Sequence, residues 1–186
     1  MTERALPKGA RLIPPEADRV FRGEIYEVHQ WPQKMPDGSV KTFEMLRRPD
    51  TVMVIALDEA GYVLVIDEKQ PGGIVRKNHL PVGRVDSSDE SVQAAAQREL
   101  REETGWTFAN WELLDVVQME KKIEWFTYLF LATGALHRAA QHLDAGENIT
   151  VRSAPLIEVL HKDNVLRYFP WLRDVESTED LTPRDF

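Results

Sequence analysis

Apolar positions in this chain fall mostly in short alternating or continuous runs, and two stretches depart from that habit with helical spacing. Arg22 to Gln30 and Ser39 to Met45 read as short strands, separated by Trp31-Pro32 and a turn at Pro36-Asp37-Gly38, and together predict an N-terminal hairpin. Val52 to Leu57 and Tyr62 to Ile66 are apolar, β-branched runs joined by Asp58-Glu59-Ala60-Gly61, which has the composition of a hairpin turn. Lys69 to Arg84 is rich in Gly, Pro and charge, so it reads as a long loop ending in Leu80-Pro81-Val82-Gly83.

The first helical stretch runs from Glu90 to Thr104. Val92, Ala96 and Leu100 recur every four residues, Ser87 and Glu90 suit a capping box, and Gly105 suits the C-terminal stop. Strand composition returns from Glu112 to Met119 and from Ile123 to Ala132, where Phe126, Tyr128 and Phe130 alternate, and again at Asn148 to Val151. Pro155 to Leu166 has a roughly helical spacing at Leu156, Val159, Leu160 and Val165, and an acidic, mobile tail is expected after Trp171. Mostly strands with one strong helix in the middle and another near the end predict an α+β sandwich.

A length of 186 residues suits one domain with a small extension, and 42% apolar with 29% charged residues is an ordinary globular balance. The division expected is an N-terminal extension over 1–50, a main domain over 51–172 and the acidic tail over 173–186. The net charge of -8 argues against a nucleic-acid polymer as partner, because phosphate backbones are held by concentrated Lys and Arg. A small anionic ligand stays compatible with it, since a bound cation dominates the field of its own site. Cysteine is absent, which removes disulfides, thiolate ligands and cysteine nucleophiles. With no apolar leader and no run long enough to cross a bilayer, a cytoplasmic protein without membrane contact is expected.

The chemistry concentrates in Gly83-Arg84-Val85-Asp86-Ser87-Ser88-Asp89-Glu90, then seven residues, then Arg98-Glu99-Leu100-Arg101-Glu102-Glu103-Thr104-Gly105-Trp106. Glu99, Glu102 and Glu103 stand at i, i+3 and i+4, so three carboxylates leave one helix face within reach of each other. Like charges so close repel, and a hard divalent cation such as Mg²⁺ or Mn²⁺ among them would explain their coexistence. Arg98, four residues before Glu102, can pair with it and fix its direction. Three acids alone would more often be a solvated helix face; the surrounding pattern is what changes the reading.

This stretch resembles the Nudix box: Gly, five residues, Glu, seven residues, Arg-Glu-U-x-Glu-Glu-x-Gly-U, with U bulky and apolar. The second half agrees at every fixed position, whereas six residues instead of five separate Gly83 from Glu90, and Trp106 is large for the last apolar place. The resemblance implies a Nudix-type α/β/α sandwich with a mixed sheet, preceded by the N-terminal β-hairpin. It further implies a Mg²⁺-dependent hydrolase, with Mn²⁺ as a substitute, that cleaves the diphosphate of a small nucleotide. Glu99 and Glu103 are implied as metal ligands, with Glu102 as a catalytic carboxylate and Arg98 supporting it.

From Arg22 to Leu160 the chain is similar to the ADP-ribose pyrophosphatase branch, most clearly at Leu80-Pro81-Val82-Gly83, where that branch has Leu-Pro-Ala-Gly. By that match the Val82 carbonyl joins the metal shell, Gly83 lies at the substrate, and an N-terminal hairpin contributes to a homodimer. Leu143 to Val151 resembles the branch's loop and strand that carry a Glu, which makes Glu147 a candidate ligand or base, with Glu120 and Glu124 as weaker ones. His79 stands where the branch has Glu, Gln70 is followed by Pro71-Gly72-Gly73, and a downstream proline of the branch has no counterpart near Glu120. These departures bear on the substrate. Arg47 and Arg48, before the core strand, are candidates for phosphate contact, although surface arginines usually have no such role. The five histidines show no metal-ligand spacing, and Trp31, Trp125 and Tyr128 are expected in core or interface. Two other readings remain: hydrolysis of a different nucleotide, such as a dinucleoside polyphosphate or an oxidised nucleotide, and a Nudix-fold module that binds without turnover.

Overall fold

Three sheets and one long helix dominate the computed structural model, which describes residues 4–70, 72–143, 145–146 and 148–186. The N-terminal sheet runs β1 (Asp18–Arg22), β2 (Glu27–Lys34) and β3 (Val40–Arg47), with β9 (Ile123–Glu124) parallel to β3. The expected hairpin is β2–β3, turning where Gly38 takes a φ of 84°. Two details are corrected: β2 runs through Trp31-Pro32, and Arg22 ends a separate strand, β1. Pairing between β1 and β2 stops at Gln30, so Pro32 has no strand on one side, where a residue without an N–H is tolerated.

At the centre lies a mixed sheet in the order β7 (Val82–Arg84), β4 (Thr51–Ala56), β10 (Phe126–Arg138), β8 (Trp106–Gln118). Here β4 and β10 are parallel and the other pairs antiparallel. A third sheet holds β11 (Asn148–Ala154), β5 (Val63–Gln70) and β6 (Ile74–His79). The Asp58–Gly61 turn forms as expected, with the Asp58 carboxylate accepting from the N–H groups of Ala60 and Tyr62. Only the bridge Leu57–Val63 follows it, however, because β4 and β5 part into different sheets. Both are nearly continuous buried runs, and such runs do not reveal which strand lies beside them. The loop expected over Lys69 to Arg84 is corrected to the end of β5 plus β6 and β7. Arg76 and Lys77 gave that segment its polar composition, and they face solvent on an edge strand.

Period-two alternation along β4 divides the core. Val52, Val54 and Ala56 face the helix α1 (Val92–Thr104), packing with Ala95, Ala96, Leu100 and Phe126. Met53, Ile55 and Leu57 face the opposite layer, with Val65, Leu80 and the short helices α2 (Leu156–Leu160) and α3 (Asp163–Leu166). Leu172, Val175 and Leu181 are buried in that layer too. Each buried aliphatic side chain of this kind stabilises by about 1.5–3 kcal/mol, enough to hold the segment, so the expectation of a mobile tail after Trp171 is corrected. The architecture is the α+β sandwich with a mixed sheet.

Candidate active site

Helix α1 begins at Val92 because the Ser91 side chain accepts from the Ala94 N–H at 3.0 Å, not through the expected Ser87–Glu90 box. It ends as expected, with Gly105 at φ 77° and its N–H on the Arg101 carbonyl at 2.8 Å. Its buried side anchors it under the central sheet, and its other side carries the acids to the end of β7.

Two of those acids dock on the β7 backbone. Arg84 N–H donates to Glu99 Oε1 at 3.0 Å and Val82 N–H donates to Glu103 Oε2 at 3.2 Å. The approach depends on Gly83: a Cβ there would lie 1.9 Å from the Glu99 carboxyl carbon. Any side chain at that position would push Glu99 away.

Arg98 is the hub of the site. Its guanidinium donates to Glu99 Oε1 at 2.9 Å, to Glu102 Oε2 at 3.0 Å and to the Arg84 carbonyl at 2.8 Å. On its other side it grips both oxygens of Asp89, each at 2.9 Å, in the fork geometry that makes such pairs strong. Asp89 is the functional residue that the sequence reading missed by aligning Glu90. Counted from Gly83, five intervening residues lead to Asp89, so the spacing from the glycine is kept, Asp replaces Glu, and the extra residue falls between Asp89 and Arg98. That count was available in the sequence; residue type drew attention to Glu90 instead. Asp86 joins the loop, accepting from Arg84 Nε at 2.8 Å while its N–H donates to Asp89 Oδ2 at 2.8 Å.

The charges are unevenly satisfied. Arg98 hydrogen bonding holds the Asp89 carboxyl below its ordinary range, and Asp89 first, then Glu99 and Glu102, raise the Arg98 guanidinium further. Burial, by contrast, pushes the Glu99 carboxyl up despite Arg98 and the Arg84 N–H. A cavity of about 460 Å³ opens over Val82, Gly83, Glu99, Glu102 and Glu103, with Gln70 on its rim. Four carboxylates and two arginines line it. The donor set is oxygen-rich and carries excess negative charge, which fits a hard divalent cation. Among the described residues no three acidic or histidine side chains stand grouped closely enough to hold an ion together. Glu99 and Glu102 share Arg98; Glu102, with 34% of its side chain exposed, has the freedom to turn away from it.

Arg47 and Arg48 lie elsewhere, on a second cavity of about 660 Å³ between the N-terminal sheet and the box loop; Asp86 lines both cavities. Glu124, an alternative base by sequence, is buried there and binds Arg47 at 3.2 Å and Arg4 at 3.3 Å. Glu120 is exposed and contacts the Lys122 N–H at 3.4 Å. Glu147 lies outside the described residues. Val82 and Gly83 meet the acids, and the Val82 contact is through its N–H. His79 Nδ1 donates to the Leu80 carbonyl at 2.8 Å, within the hairpin leading to β7. Trp31 and Tyr128 are buried core residues, and Trp125 is held by Thr51 at 2.9 Å.

Comparison with known proteins agrees with this geometry. The NUDIX domain family model matches residues 47–175. An ADP-ribose pyrophosphatase of Mycobacterium tuberculosis is 28% identical over 98 residues, covering 53% of this chain and 47% of that one. A second, from Bacillus subtilis, is 24% identical over 90 residues, 48% of each chain. The chain therefore spans about half the length of these two relatives. The methanol dehydrogenase activator of Bacillus methanolicus is 23% identical over 147 residues, covering 78% of this chain and 79% of its own. A solved ADP compounds hydrolase superposes with a TM-score of 0.65 at 19% identity, over 91% of this chain and 93% of that one, and supports the fold.

Proposed function

Since the chain belongs to the Nudix family, we propose that it is a pyrophosphohydrolase that uses Mg²⁺, or Mn²⁺ in its place, to cleave a nucleoside diphosphate derivative. ADP-ribose or a related nucleotide sugar is the substrate favoured, on the strength of the two pyrophosphatase relatives. The observation that carries the reading is the meeting of Glu99, Glu102 and Glu103 around one cavity at the end of β7.

Glu99 and Glu103 would hold the ion, together with the Val82 carbonyl. When bound, the ion neutralises the diphosphate and acidifies a water molecule. Glu102, or Glu147 by its resemblance, would take the proton of the attacking water as the water oxygen bonds to phosphorus and the bridging P–O bond breaks. Arg98 keeps Glu99 and Glu102 in position and, through Asp89, ties them to the loop. Gly83 leaves room for Glu99 and for the approach of a phosphate. The products are a nucleoside monophosphate and a sugar phosphate; from ADP-ribose they are AMP and ribose 5-phosphate.

A homodimer belongs to the same reading. Val20 and Phe21 on β1 are exposed, and an apolar edge strand of this kind invites a second copy. Sedimentation of wild type against Phe21→Glu tests it, with a monomeric wild type as the opposing result.

The hold of Arg98 on both Glu99 and Glu102 favours a second reading, a module that binds nucleotides without turnover. A panel of nucleotide sugars, dinucleoside polyphosphates and oxidised nucleotides, incubated with Mg²⁺ or Mn²⁺ and followed by mass detection, separates the two. The enzyme reading expects monophosphate products from at least one class; binding with intact ligands throughout supports the module.

A further inference from the structure

We infer that the second cavity receives a phosphoryl group carried by the substrate in addition to its diphosphate, and that Arg48 is the residue that selects for it. The inference rests on the diphosphate being bound at the box cavity. The two cavities share Asp86, and Val85, Asp86 and Ser87 of the box loop form a wall of the second one, so a ligand lying along the loop reaches both.

The other ionic groups of this cavity are largely committed. Arg4 pairs with Asp50 at 2.7 Å and Glu124 at 3.3 Å, and Arg47 pairs with Glu124 at 3.2 Å. Glu27 is taken by Arg19 at 2.8 Å and His29 at 3.1 Å, with Arg22 at 3.8 Å, and Asp86 by Arg84 at 2.8 Å. Glu24, exposed on the β1–β2 turn, is among the described residues the one lining carboxylate outside these pairs.

Arg48 differs from the other arginines. Its guanidinium lies over the Trp125 ring at 4.4 Å and the Tyr26 ring at 5.7 Å, and it has no carboxylate partner among the described residues; its Nε, like that of Arg47, is buried without an acceptor. Aromatic contact engages the faces of a guanidinium and leaves its N–H edge free. The two terminal Nη groups of a guanidinium present parallel N–H bonds that match a pair of phosphoryl oxygens. Stacking on Trp125, whose indole is itself fixed on Thr51, keeps that edge pre-oriented. A nucleobase would compete with Trp125 for a face of the guanidinium, which is why the anion is preferred.

The test compares ADP-ribose with ADP-ribose 2′-phosphate, which differ by one phosphoryl group. Wild type is expected to show roughly 10- to 100-fold higher kcat/KM for the phosphorylated compound, expressed mainly in KM, as a charge-assisted fork implies. Arg48→Ala brings that ratio close to one, and Arg48→Lys, which keeps the charge but loses the fork, retains part of it. A wild-type ratio near one, or an unchanged ratio in Arg48→Ala, overturns the inference while leaving diphosphate hydrolysis standing. Calorimetric binding of the same two ligands with Mg²⁺, to protein whose turnover is blocked by Glu102→Gln, decides it independently of turnover. There the expected result is tighter binding of the phosphorylated ligand with Arg48 present and equal binding once Arg48→Ala is added, and equal or absent binding in both is the contrary one.

Discussion

The two neighbouring cavities pair their charges on different plans. In the box cavity one arginine, Arg98, holds three carboxylates, Asp89, Glu99 and Glu102, and negative charge is left over. In the second, Asp50 and Glu124 hold Arg4 and Arg47, Glu27 and Asp86 are held by other arginines, and the guanidinium of Arg48 and the carboxylate of Glu24 stand outside these pairs. The first surplus suits a cation, whereas in the second cavity the stacked Arg48 guanidinium is the group that suits an anion. Their wiring differs as well: the partners of Arg98 lie within 14 residues of it, whereas Arg4 reaches 46 and 120 residues along the chain.

Removing the hub should have the largest effect. Arg98→Ala leaves Asp89 and Glu99 without their cation; its side chain is mostly buried, so unfolding free energy should fall by about 2–4 kcal/mol in metal-free buffer. Adding Mg²⁺ should recover part of that loss in urea melts, since the exposed excess charge is negative. The matching change in the other cavity, Glu124→Gln, should cost about 1–3 kcal/mol through weakened contacts with Arg4, Arg47 and the Ile13 N–H. Mg²⁺ should restore none of it, and equal recovery in both variants would erase the distinction. Gly83→Ala forces a methyl group into the Glu99 carboxylate, which should cost about 1–2 kcal/mol and roughly 100-fold in kcat by displacing a ligand. Normal kcat in that variant would show that Glu99 need not stay where it is.

The smallest effect is a difference in pH slope. Asp89 is held below its ordinary value of 3.8, so it contributes stability at neutral pH that is lost as pH falls through its folded pKa. Asp50 is raised above 3.8, chiefly by burial and in spite of Arg4, so its contribution is present below that value and lost as pH rises through its folded pKa. In denaturation series from acid to neutral pH, the deficit of Asp89→Asn should therefore grow and that of Asp50→Asn should shrink. Parallel slopes would contradict the difference in plan.

This contrast also explains what could be read from the sequence. The α1 acids, Arg98 and the stop at Gly105 lie a few residues apart, where helix periodicity fixes their relation. Asp89 was within reach of the same logic and was missed because an acid of the expected type stood next to it. Nothing local announces that Arg4 will meet Asp50 and Glu124, or that Arg48 will stack on Trp125; those contacts arise only once β3, β9 and the N-terminal segment are assembled. Similarly, the apolar runs marked β4 and β5 as strands, whereas their separation into different sheets depends on distant partners, β10 and β11.

The central claim is that the acids of α1 serve a metal-dependent cut of a diphosphate. Its most direct test is AMP release from ADP-ribose across a Mg²⁺ titration, in wild type and in Glu103→Gln, with circular dichroism confirming that the variant folds. Release that requires the ion and falls at least about 100-fold in the variant is the expected result. Release without any divalent ion, or at an undiminished rate in Glu103→Gln, would contradict it.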